Sequence, residues 1–309
     1  MTVLTRTIEP WKLRTRSLEL GRRTIVMGVI NITPDSFSDG GNFLNPDAAI
    51  AHALRLLGEG ADILDLGAES TRPGSNAGRV ADAGVSAEAV ISAEEEQARL
   101  LPAIEGIVAA RPDAVISADT YKSATARAAL AAGAEIINDV SGFFWDEAMP
   151  VVCAEFGCGV VLMHTRGSPD QWRAQEKLHP NALMNQVCTG LASSMEAAAS
   201  AGVQTQAIVL DPGYGFGKKF DENYTLLARQ AELLTLGRPL LAGVSRKSFL
   251  GHTLAPLYGG KQAPVEARET ASIAALVTAI LHGCSIVRVH EVRPAVEAAR
   301  IADEVLAGF

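Results

Sequence analysis

The sequence has few cysteines, and no spacing among them indicates a cross-link or a metal site. There are four: Cys153, Cys158, Cys188 and Cys284. None forms a CxxC pair or a zinc-ribbon pattern, so neither a disulfide framework nor a structural zinc site is expected. Long apolar runs are also missing. The stretch from Ile273 to Leu281 is too short to span a bilayer, and residues 1–16 lack the apolar core of a signal peptide. We therefore predict a cytoplasmic protein without membrane contact.

Positive charge is in deficit. Lysine and arginine number 27 against 35 aspartates and glutamates, which leaves a formal net charge of −8. Such a chain is a poor candidate for coating nucleic acid, so no nucleic-acid partner is expected. A local basic pocket could still bind a phosphorylated ligand. With 48% hydrophobic and 20% charged residues, the composition is that of an ordinary globular protein.

Two well-known site motifs are absent. The glycines Gly213, Gly215 and Gly217 follow a GxGxG spacing with no helix start directly after them, so the dinucleotide-binding fingerprint is not met. This argues against an NAD enzyme. Asn31 and Thr33 stand where a metal-dependent amidohydrolase would carry an HxH pair at the end of its first strand. That class is therefore disfavoured.

Short apolar runs alternate with alanine- and leucine-rich helical segments, which is the pattern of repeated βα units. Most runs are too continuously apolar for a strand with one wet face, so they indicate parallel strands covered on both sides. The eight runs are TIVMGVIN, ADILDLGAES, AVISADT, EIINDVSG, GVVLMH, AIVLDPG, PLLAGVS and SIVRVH. Eight units favour closure into a (β/α)₈ TIM barrel, with an open Rossmann or flavodoxin-like sheet as the alternative.

The chain has 309 residues, and no linker or change of composition divides it. We therefore assign residues 23–309 to a single barrel domain. Residues 1–22 form an N-terminal extension that could fold as a small hairpin across the bottom of the barrel. Helix starts are indicated by Asn45-Pro46 and by Ser92 with Glu95. Residues 74–93 form an unusually long connection that suggests a mobile flap over the site.

Polar residues end every predicted strand, and barrel enzymes place their sites at those ends. Any one of these residues could simply cap the following helix, but eight consecutive polar endings are harder to explain by capping. They are Asn31, Glu69 to Arg72, Asp119, Asn138, His164, Asp211, Ser245 to Ser248, Arg288 and His290.

The chemistry of these residues suggests a ligand with an anionic group. Asn31, with Asp35 and Asp39, supplies hard oxygen donors suited to Mg²⁺ when substrate phosphates complete its shell, although an ordinary turn explains them too. Thr71 and Arg72 suit a phosphate.

Three further strand ends suggest a ligand rich in hydrogen-bond donors. Asp119, Asn138 and Asp211 would converge at the barrel mouth, where buried carboxylates need donors such as a 2-amino-4-oxo-pyrimidine edge. Three helix caps are the competing interpretation.

Two more of the strand ends suggest anion contacts. Ser245 to Ser248 lead into a helix whose N-terminus could hold a carboxylate or phosphate, or could be a simple cap. Arg288 and His290 are expected to share one face of the last strand, because alternate residues of a strand point the same way. Together they could cover a flat ring and meet an anion.

Taken in order, the motifs resemble those of the dihydropteroate synthase family from Thr24 to about Leu306. The motifs that carry the resemblance are NITPDSFSDGG, DLGAESTRPG, ADTYK, IINDVSG, MHTRG, DPGYGFGK, SRKSF and RVH. The resemblance implies condensation of 6-hydroxymethyl-7,8-dihydropterin diphosphate with p-aminobenzoate, giving dihydropteroate and pyrophosphate. It also implies a Mg²⁺ cofactor and a homodimer.

The resemblance assigns roles to individual positions. Asp119, Asn138, Asp211 and Lys247 would bind the pterin, and Arg288 would stack on it. Thr71, Arg72 and His290 would contact the diphosphate, and Asn31 would ligate the metal. The p-aminobenzoate contacts would be Phe37, Pro73, Phe216 and Ser248. Of these, Lys247, Arg288, His290, Asp119 and Asp211 would be the catalytic set, and alanine at Lys247 or Arg288 would abolish turnover with the fold intact.

The chain departs from the family pattern at Ala68, in MHTRG, and in the length of the 74–93 segment. Two other functions are compatible with a pterin-binding barrel. A corrinoid-linked methyltetrahydrofolate methyltransferase would not be expected to carry TPDSFSDGG or SRKSF. A non-catalytic pterin-binding homologue is permitted by the altered loop after Arg72.

Overall fold

The computed structural model describes residues 6–32, 46–69, 77 and 91–308. The first element is an antiparallel hairpin of β1 (Glu9–Lys12) and β2 (Ser17–Leu20). It lies within the N-terminal extension and confirms the hairpin expected there. The boundary between extension and barrel domain at residue 22 stays a prediction.

Eight parallel strands follow the hairpin, and they close into a barrel because the last of the eight pairs with the first of the eight. The strands are β3 (Ile25–Asn31), β4 (Ile63–Gly67), β5 (Ile116–Asp119), β6 (Ile136–Asp139), β7 (Gly159–Met163), β8 (Ile208–Asp211), β9 (Leu240–Ala242) and β10 (Cys284–Val289). Each falls on one of the eight predicted runs. The TIM barrel is confirmed, and the open-sheet alternative is wrong.

Helices cover the outside of the barrel. They are α1 (Pro46–Glu59), α2 (Ala93–Ala110), α3 (Ser123–Ala131), α4 (Met149–Phe156), α5 (Pro180–Ser200), α6 (Phe220–Arg229), α7 (Ser248–Thr253), α8 (Glu269–Leu281) and α9 (Val292–Ala307). Two predicted starts are confirmed. Pro46 opens α1, and the Ser92 hydroxyl accepts a hydrogen bond of 3.1 Å from the Glu95 amide at the start of α2.

The lower half of the barrel is an apolar plug. Inward-facing strand residues pack there against Trp11, Leu13 and Leu20 from the hairpin region. The Trp11 side chain is fully buried, and its indole N–H donates to the Ala207 carbonyl at 2.8 Å. Because this plug closes the bottom, a ligand must enter from the carboxyl ends of the strands.

Most of the long segment predicted over residues 74–93 lies outside the described residues. Within the described part of the chain, no helix is both long and apolar enough to cross a membrane.

Candidate active site

The strand registers bring the predicted polar ends together at one end of the barrel. Asp119 pairs in register with Asn138 on the next strand, and Met163 pairs with Asp211. Alternate residues of a strand share a face, so Asp65, Asp119, Asn138, Asp211 and Arg288 all belong to the inward-facing set. This placement follows from closure of the sheet.

Arg288 lies between two carboxylates. Its Nε donates to Asp65 Oδ2 and its Nη2 donates to Asp119 Oδ2, each at 2.6 Å. The Asn138 side-chain amide donates to the same Asp65 oxygen at 3.1 Å. Asp65 is fully buried, and its other oxygen, Oδ1, has no hydrogen-bond partner among the described residues. Asp65 therefore fixes both Arg288 and Asn138 from below.

The protonation of this cluster follows from burial and charge. Burial disfavours the charge of Arg288, but Asp65 and Asp119 outweigh that effect and raise its pKa further above the usual value. Burial raises the pKa of Asp119 to about 7, although the adjacent guanidinium opposes the rise. Asp119 can thus accept or release a proton near neutral pH, whereas Arg288 stays charged.

Asp211 and Lys247 form the opposite wall. Asp211 is 6% exposed, and its Oδ1 accepts a 2.7 Å hydrogen bond from the Gly213 amide. Burial raises the pKa of Asp211, while Gly213 and Lys247 oppose the rise. Burial lowers the pKa of Lys247 to about 7, with Asp211 opposing the fall. The Lys247 ammonium lies 3.8 Å from the centre of the Phe216 ring, a cation–π distance.

The backbone before Lys247 is held in an unusual conformation. Arg246 has φ of +59°, a region that side chains rarely adopt. Its amide donates to Ser272 Oγ at 2.9 Å, and its carbonyl accepts from Arg268 Nη1 at 2.9 Å. Both contacts come from the segment that leads into and begins α8. They hold the turn that points Lys247 at the site.

His290 and Ser248 lie near the same rim. His290 Nδ1 lies 3.0 Å from Ser245 Oγ, and Ser248 is the first residue of α7. Arg288 and His290 were expected to meet an anion together. Here Arg288 bonds to the two carboxylates, and His290 bonds to Ser245.

Asn31, the predicted metal ligand, ends β3 with an exposed side chain. Its amide oxygen is a hard donor of the type Mg²⁺ accepts. Among the residues that the structure describes, no group of three or more His, Cys, Asp or Glu side chains could hold a metal ion. Four other predicted residues, Phe37, Thr71, Arg72 and Pro73, lie outside the described residues, as do Asp35 and Asp39 of the Mg²⁺ hypothesis.

A small apolar cluster borders the polar groups. Tyr121, Val140 and Met163 are buried in it, and Trp145 and Phe216 pack against it. Such a wall suits the face of a flat ring, while the carboxylates can address the ring edge.

Sequence reasoning missed two buried charged residues of this site. Asp65 stands inside an apolar strand rather than at its end, and Lys218 follows a glycine-rich loop. For Asp65 a signal existed, because a carboxylate in the middle of a strand covered on both faces needs a partner inside the barrel. For Lys218 the sequence carries no comparable signal.

Comparison with known proteins identifies the family of this chain. The model of the pterin-binding enzyme family matches residues 27–290. Dihydropteroate synthase of Clostridium beijerinckii is 37% identical over 293 residues, which cover 94% of this chain and 98% of that protein. Dihydropteroate synthase of Xanthomonas albilineans, solved with 4-aminobenzoic acid, is 38% identical with a TM-score of 0.81, over 97% of this chain and 99% of that one.

The same Xanthomonas enzyme in complex with 7,8-dihydropteroate is 35% identical, with a TM-score of 0.78 over 97% of this chain and 99% of that one. The sequence comparison and the fold comparison identify the same family. The chain therefore belongs to the pterin-binding enzymes and, within them, to the dihydropteroate synthases.

Proposed function

We propose that this chain is a transferase that condenses 6-hydroxymethyl-7,8-dihydropterin diphosphate with p-aminobenzoate, forming 7,8-dihydropteroate and pyrophosphate for folate synthesis. The observation that carries the proposal is the convergence of Asp119, Asn138 and Asp211 around Arg288 at the mouth of the closed barrel. Related enzymes solved with 4-aminobenzoic acid and with 7,8-dihydropteroate support the same substrates.

The pterin would bind by its donor-rich edge. Its ring N–H and exocyclic amine can donate side by side to one carboxylate, and the buried Asp211 carboxylate can accept more bonds than the one from Gly213. Asp119 and Asn138 would take the remaining polar atoms. Arg288 presents a planar guanidinium held flat by Asp65 and Asp119, and a planar cation can stack on a conjugated ring.

The diphosphate would lie toward the rim. His290, Thr71 and Arg72 are the proposed contacts there. Mg²⁺, when bound by Asn31 together with substrate oxygens, would supply charge neutralisation for the diphosphate. The amide oxygen of Asn31 fits that ion chemically.

The p-aminobenzoate would approach from the side of Phe216 and Ser248, with Phe37 and Pro73 as further contacts. Phe216 offers an apolar face and borders the cluster of Tyr121, Val140 and Met163. The aromatic amine is unprotonated at neutral pH and needs no strong base.

The reaction forms one bond and breaks one. The amine nitrogen bonds to the pterin methylene carbon, the carbon–oxygen bond to the diphosphate breaks with its electron pair on oxygen, and the nitrogen loses one proton to solvent. Arg72, Arg288 and His290 would stabilise negative charge on the departing pyrophosphate, and Asp211 would balance positive charge on the ring.

A pyrophosphate-release assay with both substrates and Mg²⁺ tests this proposal. We expect release that depends on p-aminobenzoate, with dihydropteroate as product. No pyrophosphate release, together with methyl transfer from methyltetrahydrofolate to a corrinoid, would favour a methyltransferase. Calorimetric binding of the pterin diphosphate without turnover would establish the non-catalytic homologue.

Two further expectations accompany the function. We propose a cytoplasmic location, and a homodimer formed through apolar side chains near α6 and α7. Phe220, Tyr224, Leu257 and Tyr258 are exposed there, with Leu257 79% exposed. Light scattering should give twice the monomer mass, and Leu257→Lys should shift it toward monomer. An unchanged dimer in that variant would place the interface elsewhere.

A further inference from the structure

The loop between β8 and α6 encloses a buried lysine. Residues 212–219 run Pro-Gly-Tyr-Gly-Phe-Gly-Lys-Lys, and Gly213, Gly215 and Gly217 all have positive φ. These turns fold the loop back on itself. The side chain of Lys218 points into the loop and is only 7% exposed.

The ammonium of Lys218 bonds to three backbone carbonyls. The distances from Nζ are 2.8 Å to the Gly213 oxygen, 3.2 Å to the His164 oxygen and 3.3 Å to the Phe216 oxygen. An ammonium has three N–H donors, so this acceptor set matches its protonated form. The bonds join the end of β7 to two points of the β8–α6 loop.

One of these points carries the proposed p-aminobenzoate contact. The Phe216 ring packs edge-on against Trp172 with ring centres 5.0 Å apart, and its face lies 3.8 Å from the Lys247 ammonium. Because Lys218 bonds to the Phe216 carbonyl, it restricts where the Phe216 backbone can lie. The ring position follows from that backbone.

Burying this charge is unfavourable by itself. Burial lowers the pKa of Lys218 to about 7, Asp211 and Glu222 oppose the fall, and Arg166 and Lys247 add to it. An apolar side chain of similar length could fill the space without that desolvation, so packing alone does not account for a lysine here. What an apolar residue could not do is join the three carbonyls.

We propose that Lys218 is a positioning residue for the p-aminobenzoate half of the site. It ties the Gly213–Gly217 turns to the end of β7 and thereby holds Phe216 between Trp172 and Lys247. The inference rests on the proposed function, and in particular on Phe216 as a contact of p-aminobenzoate. It predicts that loss of Lys218 weakens use of p-aminobenzoate far more than binding of the pterin diphosphate.

A double-mutant cycle tests the proposal, using Lys218→Met, Phe216→Ala and the combination. Lys218→Met should raise KM for p-aminobenzoate about 10-fold or more, and change KM for the pterin diphosphate by less than about threefold. In the Phe216→Ala background the same substitution should add little, because Lys218 acts through that ring. Lys219→Met is the matched control, since its Nζ donates to the surface carbonyl of Arg173 at 3.2 Å, away from the loop interior.

The outcomes separate three cases. No turnover in the wild-type protein contradicts the proposed function. A wild-type KM for p-aminobenzoate in Phe216→Ala contradicts the role of Phe216. If the wild-type protein turns over and Phe216→Ala has a raised KM for p-aminobenzoate, then an unchanged KM in Lys218→Met, or an effect of Lys218→Met that is fully additive with Phe216→Ala, overturns only the positioning role.

Folding is monitored by circular dichroism and by tryptophan emission. If Lys218→Met does not fold, Lys218→Arg replaces it in the cycle. This variant keeps the charge and donors, and a smaller rise in the same KM is then expected. Equal loss of both substrates in a folded Lys218→Arg protein would contradict the proposal.

Discussion

At the residue scale, the site depends on one arginine shared by two carboxylates. Arg288 pairs with Asp65 and Asp119 at 2.6 Å each, and Asp65 is completely buried. Removing one member of a buried pair leaves the other charge uncompensated. Arg288 therefore contributes to stability as well as to ligand binding, which the sequence did not indicate.

We expect Arg288→Ala to reduce kcat/KM at least 100-fold, because a charged group aimed at the substrate is lost. It should also lower the free energy of unfolding by about 3 kcal/mol, since Asp65 stays buried without its counter-charge. Urea denaturation and steady-state kinetics measure the two effects. Arg293→Ala, on the exposed face of α9, is the control and should change neither.

Adding Asp65→Asn to Arg288→Ala should recover much of the stability but none of the activity. If Arg288→Ala alone unfolds no more easily than the wild type, the coupling of Asp65 to Arg288 is weaker than the geometry indicates.

Lys247 makes activity depend on pH above neutrality. Its pKa is lowered to about 7 by burial, so in the substrate-free protein it loses its positive charge as the pH rises through that value. The ammonium is the form that can pair with an anionic or acceptor-rich ligand, so kcat/KM should fall on the alkaline side. Arginine keeps its charge over this pH range, so the alkaline limb of the kcat/KM profile of Lys247→Arg should lie at least about one pH unit higher than in the wild type. The maximum value of kcat/KM should be lower. If the alkaline limb of Lys247→Arg stays where it is in the wild type, a group other than Lys247 titrates there.

At the element scale, the loop after β8 is the most demanding piece of backbone. Gly213 has φ of +72°, and a Cβ built on it would lie 1.9 Å from the His164 carbonyl oxygen. That oxygen also accepts a bond from Lys218. The close approach of the two strand ends is thus possible only with glycine.

Gly213→Ala should therefore lower the free energy of unfolding by roughly 2–4 kcal/mol and abolish turnover, because the amide that bonds Asp211 must move. Thermal denaturation and the pyrophosphate assay measure these effects. Gly58→Ala is the matched control. Gly58 is exposed in α1. Apart from its chain neighbours and the backbone of its own helix, no atom of the described residues lies within 4 Å of a Cβ built there, so alanine should stabilise the helix by about 0.5–1 kcal/mol. Wild-type stability in Gly213→Ala would mean that the loop relaxes freely.

At the scale of the whole molecule, the two ends of the barrel have different roles: the bottom contributes to stability and the mouth binds the substrates. The bottom is closed by the hairpin and apolar side chains, while the mouth carries the charged cluster. Substitutions at the bottom are expected to change stability without changing substrate affinity.

Trp11→Ala tests this separation. It removes a fully buried ring and its hydrogen bond to Ala207, so the free energy of unfolding should drop by about 3–5 kcal/mol. KM for both substrates should stay within about twofold of wild type below the unfolding transition. Ile8→Ala, 54% exposed in the same segment, should lie within about 0.5 kcal/mol of wild type. A large KM change in Trp11→Ala would show that the two ends are coupled.

The sequence by itself determined the architecture and the end of the barrel at which the polar residues meet. Continuous apolar runs separated by helical segments predicted each strand, because strands covered on both faces must be apolar along their whole length. Polar residues at the ends of those strands had to share one end of the barrel. Asp119, Asn138, Asp211 and Arg288 could therefore be assigned to one pocket from their positions in the sequence.

Only the tertiary structure decided which charged groups meet inside that pocket. The shared face of Arg288 and His290 followed from their spacing, but the partners of Arg288 did not: it bonds to Asp65 and Asp119, which precede it by 223 and 169 residues. Lys218 was not singled out, because its three carbonyl partners come together only when the loop after β8 folds against the end of β7. Local spacing predicts the face on which a side chain lies. Its partner across the barrel depends on closure of the sheet, which no local pattern encodes.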